Sequence, residues 1–244
     1  MSTVHRIDKV LAHTGFGSRK GVKQIVRSGH VEVNGHIIRN SSLKVDTDVD
    51  VITVNGEQIH YREFIYMMLN KPKGVISATE DRIHQTVVDL LDLDSQRFVP
   101  FPVGRLDIDT TGFLLLTNDG QLAHELLSPK KRVAKTYAVT VDRPVGAVEK
   151  KQLEQGVTLD DGYETLPAIV QWIHPQNGKE VLLTIYEGKF HQVKRMFQAV
   201  GGTVTSLKRV QFGPLELDPA LKLGDYRELS EAEIKLLKTH SSMI

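Results

Sequence analysis

A chain of 244 residues, 40% hydrophobic and 25% charged, is long and apolar enough to bury a substantial core, in one large domain or two modest ones. It has no cysteine, which excludes disulfides, cysteine-ligated zinc and thiol nucleophiles and leaves covalent chemistry to Ser, Thr, Lys, Asp, Glu, His or Tyr. No apolar run approaches the roughly 18 residues of a membrane span and MSTVHRIDKV lacks an apolar leader core, so a cytoplasmic protein without membrane contact is expected; the net charge of +1 says nothing about partners.

The charge is unevenly spread. Residues 1–40 hold seven Lys/Arg (Arg6, Lys9, Arg19, Lys20, Lys23, Arg27, Arg39) against Asp8 and Glu32, a balance of +5. Residues 41–60 set Lys44 against Asp46, Asp48, Asp50 and Glu57, a balance of −3. Within the basic stretch, RIDKVLAHTGFGSRKGVKQIVRSGHVEVNGHII reads as helix, Gly-rich turn, helix and strand, with Ser18 as N-cap of the second helix and Gly29 as its stop. At helical period Arg19, Lys20, Lys23 and Arg27 share one side of that helix, with Val22, Ile25 and Val26 on the other. Four cations with no intervening acid forgo the i, i+4 ion pairs of an ordinary solvated face, which favours contact with nucleic-acid phosphates. VEVNGHII and ITVNGEQI follow, each an Asn-Gly step between alternating apolar residues, the mark of a tight hairpin. Over residues 4–60 this pattern resembles the S4 RNA-binding domain. The resemblance implies that the basic helix face, with Arg6, docks on structured RNA through phosphate contacts and shape.

After a polar boundary at HYREF (60–64), IYMMLNKPKGVISA reads as an apolar strand ending in a Lys-Pro-Lys-Gly turn. GRLDIDTTGFLLLTNDG (104–120) then sets Asp107 and Asp109 in a Gly- and Thr-framed loop ahead of an apolar run. A calcium loop fits Asp107, Asp109 and Gly112 but fails at Thr111 and at Asn118, where a bidentate Glu belongs. A D-x-D pair holding a divalent metal for sugar transfer, and a turn whose acids only cap helices or bond Thr110 and Thr111, both remain open on the motif alone. FLLLT reads as a buried central strand, so the acids sit at the edge of a rigid core. A carboxylate there stays ionised only if paired. Cations come from SPKKRVAKTY, where Lys130, Lys131, Arg132 and Lys135 precede Tyr137, and from EGKFHQVKRMFQAVGG, which brings Lys189, Lys194 and Arg195. In the latter segment Val193, Met196, Phe197 and Val200 recur as a core-facing helical stripe, leaving Lys194 and Arg195 off the buried face. LSEAEIKLLK reads as a helix opened by a capping box of Ser230 and Glu233.

Four motifs, NKPKG (70–74), GRLDIDTTGFLLLTNDG (104–120), AKTYAV (134–139) and EGKFHQVKRMFQAVGG (187–202), in this order behind an S4-like front, resemble the RNA pseudouridine synthases of the ribosomal small-subunit type over essentially the whole chain. Carried over motif by motif, the resemblance implies that Asp107 is the catalytic aspartate and Asp109 a neighbour without that role. It implies that Tyr137 stacks on the target uracil and assists a late proton movement, and that Lys194 pairs with Asp107 and keeps it ionised. Arg105 would occupy the space left by the flipped nucleotide, and Lys189, His191 and Arg195 would join the RNA contacts. The reaction the resemblance implies is an isomerisation in which uracil is cut from its ribose at N1, rotated and rejoined through C5, with no cofactor and no metal expected. The expected fold is α+β: an S4-like module of two helices and a small sheet over 1–60, on a flexible joint, then a catalytic domain over 61–244 on a mostly antiparallel mixed sheet flanked by helices. Phe190-His191 ahead of Gln-Val-Lys-Arg-Met is closer to the small-subunit enzymes than the Asn-Arg of large-subunit relatives. The expected substrate is therefore uridine 516 of 16S rRNA, free or in a small-subunit assembly particle, acted on by a monomer. A uridine of 23S rRNA is the runner-up. A non-catalytic RNA-binding assembly factor and a metal-dependent glycosyl transferase are the alternatives from other classes.

Overall fold

The structure, a computed structural model, describes residues 4–59 and 61–243. His60, the first residue of the polar boundary, lies outside the described residues. The chain divides into two compact units, Met1–Ile65 with Asp92–Val99, and Tyr66–Leu91 with Pro100–Ile244.

In the first unit the chain runs through β1 (Val4–Arg6), α1 (Ile7–His13), α2 (Arg19–Arg27), β2 (Val31–Val33), β3 (His36–Ile37), β4 (Lys44–Asp46), β5 (Ile52–Val54) and β6 (Glu57–Ile59), and α3 (Leu93–Gln96) joins it from later in the sequence. The two helices bury Ile7, Val10, Leu11, Val22 and Val26 against Val31, Val45, Ile52 and Val54. Ser18 caps α2, its hydroxyl accepting from the Gly21 amide, and Gly29 ends the helix with a positive φ of 78°. Both Asn-Gly steps are the tight turns their sequence predicts: Asn34-Gly35 and Asn55-Gly56 have positive φ at both residues, closing β2 on β3 and β5 on β6. These four strands form one antiparallel sheet in the order β3-β2-β5-β6, and β1 pairs β4 separately, so the module carries two small sheets where one was expected.

The second unit is a nine-stranded sheet built from β7 (Tyr66–Lys71), β8 (Phe101–Pro102), β9 (Thr111–Thr117), β10 (Lys135–Val141), β11 (Ile169–Trp172), β12 (Glu180–Ile185), β13 (Val204–Phe212), β14 (Leu215–Glu216) and β15 (Tyr226–Glu228). Helices α4 (Gly120–Leu127), α5 (Ala147–Gln155), α6 (Gln192–Ala199) and α7 (Glu231–Met243) accompany it. The main order is β11-β12-β10-β13-β9-β7-β15, with β8 on β9 and β14 on β13. Every pairing is antiparallel except β13 with β9, which is parallel. The fold is thus α+β, with a mixed, mostly antiparallel sheet. Strands β7 and β9 are buried at every residue, which is why residues 66–69 and 113–116 read as unbroken apolar runs rather than alternations. Gly112 is required where β9 meets β13: its φ is +102°, and a Cβ built there would run into the Arg209 carbonyl oxygen and sit 2.8 Å from the Arg209 nitrogen. The loop bearing Asp107 and Asp109 leads into this crossing, so its far end is anchored in the most buried part of the sheet. No helix among the described residues is long and apolar enough to cross a membrane.

Candidate active site

The acid loop is held from beneath by polar groups that are themselves buried. Lys71, fully buried at the end of β7, donates from Nζ to the carbonyls of Pro72 (3.1 Å), Asp107 (3.0 Å) and Thr110 (3.0 Å). Ser77 Oγ donates to the Leu106 carbonyl and accepts from the Leu106 amide, both at 3.0 Å. The amide of Gly74 reaches Ile108 O at 2.8 Å. A loop with this many main-chain groups satisfied internally presents its side chains from a fixed frame.

Facing it, the loop before α6 is tied by one carboxylate. Glu187 accepts from Tyr163 Oη (2.6 Å), the Leu166 amide (2.9 Å) and Gln192 Nε2 (2.7 Å), and Gln192 Oε1 accepts from the Lys189 amide (2.9 Å). His191 then enters α6 in the left-handed region, φ 50°, with its ring stacked on Phe190 at a centroid distance of 3.7 Å. Val193, Met196 and Phe197 point into the core, as the periodicity predicts, which turns Lys194 toward the acids.

Lys194 Nζ lies 3.2 Å from Asp107 Oδ2 and 2.6 Å from Asp109 Oδ1, and His191 Nε2 is 3.7 Å from Asp107 Oδ1. The pairing of Lys194 with Asp107 is present, but the lysine is shared and its shorter bond goes to Asp109. That hydrogen bond holds the Asp109 carboxyl below its ordinary range. Partial burial pulls the Lys194 ammonium down, and its bonds to Asp109 and Asp107 outweigh this to leave it raised. The point between the two acids, where a D-x-D pair would grip a metal, is taken by the ammonium. Among the described residues no group of three or more His, Asp or Glu side chains is arranged to hold a metal ion.

Beside Asp107 opens a cavity of about 390 Å³, inside the roughly 300–1,000 Å³ range of small-molecule sites. Arg105, Asp107, Tyr137, Lys189 and His191 line it, together with the apolar Leu166, Ile185 and Leu207. Tyr137 comes from β10 and is 8% exposed. Its register partner on β13 is Arg209, whose Nε donates to the Phe113 carbonyl at 2.7 Å. Burial pushes the Arg209 guanidinium down, against attraction from Tyr137. Burial likewise pushes Lys135 down to about 8, helped by repulsion from Arg209.

The loop, β10 and α6 therefore bring together Asp107, Tyr137, Lys194, Arg105, Lys189 and His191. Arg195 is turned away: its guanidinium pairs with Asp160 and, at 2.7 Å, with Asp161. Arg6, in the first unit, is held in a two-pronged bond to Asp8. Arg19, Lys20, Lys23 and Arg27 are all exposed on α2, as the helical wheel predicts. The sequence reading missed Lys71, Arg209 and Glu187. For Arg209 a signal exists, because the two-residue period of a strand places it on the same face as the buried Leu207. Lys71 and Glu187 lie inside two of the four motifs, NKPKG and EGKFHQVKRMFQAVGG, but neither composition nor period marks them as buried ties, since a Lys or Glu beside a turn ordinarily faces water.

Residues 65–199 match the RNA pseudouridylate synthase family and residues 5–51 the S4 domain. The chain is 54% identical to the uncharacterized RNA pseudouridine synthase YtzG of Bacillus subtilis, over 95% of this chain and 98% of the relative. It is 40% identical to the ribosomal large subunit pseudouridine synthase B of Bacillus subtilis (96% of each chain) and 40% identical to the ribosomal small subunit pseudouridine synthase A of Vibrio vulnificus (94% and 97%). A crystal structure of a pseudouridylate synthase superposes with a TM-score of 0.67 at 36% identity, covering 95% of this chain and 99% of that one.

Proposed function

The chain belongs to the RNA pseudouridylate synthase family and carries an S4 domain, and from that premise we propose that it converts uridine 516 of 16S rRNA to pseudouridine with Asp107 as the essential aspartate. Its activity as an RNA pseudouridine synthase follows from the family; the target and the residue roles are our reading. One observation supports the roles above the rest: Asp107 faces a cavity of about 390 Å³, a lysine ammonium lies 3.2 Å from its carboxylate, and Tyr137 lines the same cavity.

In this reading residues 1–60 position the RNA and residues 61–244 carry the chemistry. The target uridine leaves its stack, at a cost of a few kcal/mol, and enters the cavity. Arg105 fills the gap it leaves, while Lys189 and His191 contact the backbone at the mouth and recover part of that cost. Arg195 joins them only by leaving its aspartates. Lys194, 3.2 Å from its carboxylate, holds and orients Asp107, and the Tyr137 ring lies against the uracil, offering a flat apolar face and a hydroxyl. Whether the carboxylate attacks ribose C1′, adds to C6 of the base or removes a ribose proton, each route begins from an ionised Asp107 beside the glycosidic bond. The bond from C1′ to N1 breaks, a bond from C1′ to C5 forms, the C5 proton is lost to solvent and N1 gains one. No redox partner or energy source enters that balance.

The 16S assignment is favoured by Phe190-His191 ahead of Gln-Val-Lys-Arg-Met. A second reading, a uridine of 23S rRNA, is supported by the 40% identity, over 96% of each chain, to a large-subunit relative. Tritium release from RNA labelled at uridine C5 tests both. Wild-type protein should release tritium from 16S rRNA, free or in a small-subunit particle, and Asp107→Asn should not, while keeping its RNA affinity within a few-fold. Release from 23S rRNA alone would move the target to the large subunit. Binding to rRNA without release from either would leave the assembly-factor reading.

A further inference from the structure

Asp107 and Asp109 look interchangeable in sequence, yet they divide Lys194 unequally. The ammonium sits 2.6 Å from Asp109 and 3.2 Å from Asp107. Asp109 is 60% exposed and takes no part in lining the cavity, whereas Asp107 is 27% exposed and lines it. A carboxylate that stands outside the cavity but takes the shorter bond to the shared cation is placed to act on the cation. The geometry points to Asp109 as a positioning residue that draws Lys194 partly off Asp107, leaving the essential aspartate anchored but incompletely neutralised. This rests on the reading of Asp107 as the essential aspartate.

The consequence follows from Coulomb attraction falling with distance. A carboxylate held one-to-one by an ammonium at full hydrogen-bond contact is a weak base and a weak nucleophile, because its lone pairs are committed to the cation. Letting the cation lean toward a second acid preserves its orienting effect and restores reactivity to the first. Asp109 can do this throughout the working pH range because its own bond to Lys194 keeps it ionised. Besides Lys194, Asp107 meets His191 at the N-cap of α6 and Lys71 of β7 through its carbonyl, and shares its cavity with Arg105, Arg132, Lys135, Tyr137, Tyr163, Glu187, Lys189 and Arg209. Lys71 and His191 also feel the charge of Asp109, so a substitution that restores the charge is the needed control.

The test is the pH dependence of tritium release for wild type, Asp109→Asn, Asp109→Glu and Asp107→Asn on one RNA. In Asp109→Asn the ammonium closes on Asp107. The expected result is a fall in kcat of about tenfold with KM within about twofold, and an acid limb moved down by about one pH unit. Asp109→Glu should bring the limb back toward wild type. An Asp109→Asn limb that stays in place or moves upward, or a Glu variant that behaves as Asn does, would overturn the inference. Full turnover by Asp107→Asn would instead overturn the reading beneath it. Since Asp109 is exposed, a melting temperature unchanged in Asp109→Asn separates this effect from loss of fold, and where it does change, the limb in Asp109→Glu decides.

Discussion

The ammonium of Lys71 lies 3.0 Å from the main-chain carbonyl of Asp107, so the acid loop hangs from a lysine that never meets solvent. The same nitrogen bonds Thr110 O and Pro72 O, which uses all three of its N–H donors on carbonyls. Lys71→Met keeps the length and apolar stem of the side chain but removes those donors. Each buried carbonyl left without a partner costs about 1–3 kcal/mol, partly offset by not burying a charge. Differential scanning fluorimetry should show a melting temperature lower by at least about 5 °C. Tritium release should fall by more than about tenfold while RNA affinity stays within about twofold, since the loss is in the placement of Asp107. A variant as active as wild type would mean that the loop holds its shape without this lysine.

Lys71 and Lys135 are both pushed down from 10.5 to about 8 by burial. Between about pH 8 and 10.5 the folded protein has shed these protons while the unfolded chain still holds them. The unfolded state then binds more protons, and stability rises with pH across that window. Urea unfolding of the wild type at pH 7.5, 8.5 and 9.5, read on a probe of the second unit, should give a midpoint that climbs. The climb should be smaller in Lys135→Met, where one of the two groups is gone. A midpoint that is flat or falling for wild type would show that the two lysines stay charged at no cost.

How far the sequence spoke for the structure depended on the range of the interaction. Local rules were legible: the Asn-Gly turns, the Ser18 cap, the box in which Ser230 Oγ accepts from the Glu233 amide and Glu233 from that of Ser230, and the apolar runs of β7 and β9. The parallel pairing of β9 with β13 was not, because it joins Gly112 to Arg209 across most of the domain and shows in the sequence only as one glycine among 19. Nor did the joining of α3 to the first unit show, since its four residues read as part of the chain around them. At the site, motif order chose Asp107, Tyr137 and Lys194, but spacing could not say how one lysine divides between two acids. That division depends on where α6 points Lys194, which is fixed by the burial of Val193, Met196 and Phe197 and by the Glu187 bonds behind them.

Gly112 offers a sharp test of the β9 and β13 crossing. Any side chain there faces both a backbone angle of +102° and the main chain of Arg209. Gly112→Ala should therefore cost about 3 kcal/mol or more, combining left-handed strain with a clash that neither strand can relieve without breaking its pairing. Gly74 provides the comparison, because its φ is +83° but nothing lies within 4 Å of an added Cβ. Gly74→Ala should cost only the strain, about 1–2 kcal/mol. Chemical denaturation of the two variants side by side measures the difference. Equal losses would mean that β13 yields, and that the crossing is looser than its geometry suggests.

The basic face of α2 is the remaining claim on the RNA. Arg19, Lys20, Lys23 and Arg27 are exposed while Val22 and Val26 hold the helix to its core, so the cations can be removed without touching the packing. If they neutralise phosphates, binding releases the condensed counterions, and affinity falls with salt in proportion to the number of contacts made. Replacing Arg19, Lys23 and Arg27 together with Ala should weaken rRNA binding at low salt and reduce the slope of log affinity against log salt by up to about 2 to 3. The isomerase step itself should be unchanged at saturating RNA, because these side chains belong to the first unit and the acid, tyrosine and lysine to the second. A filter-binding titration over several salt concentrations, paired with tritium release at saturation, measures both quantities. An unchanged slope would mean that this face is simply solvated and that the phosphates are met elsewhere, whereas a fall in the saturated rate would mean that the module does more than position the RNA.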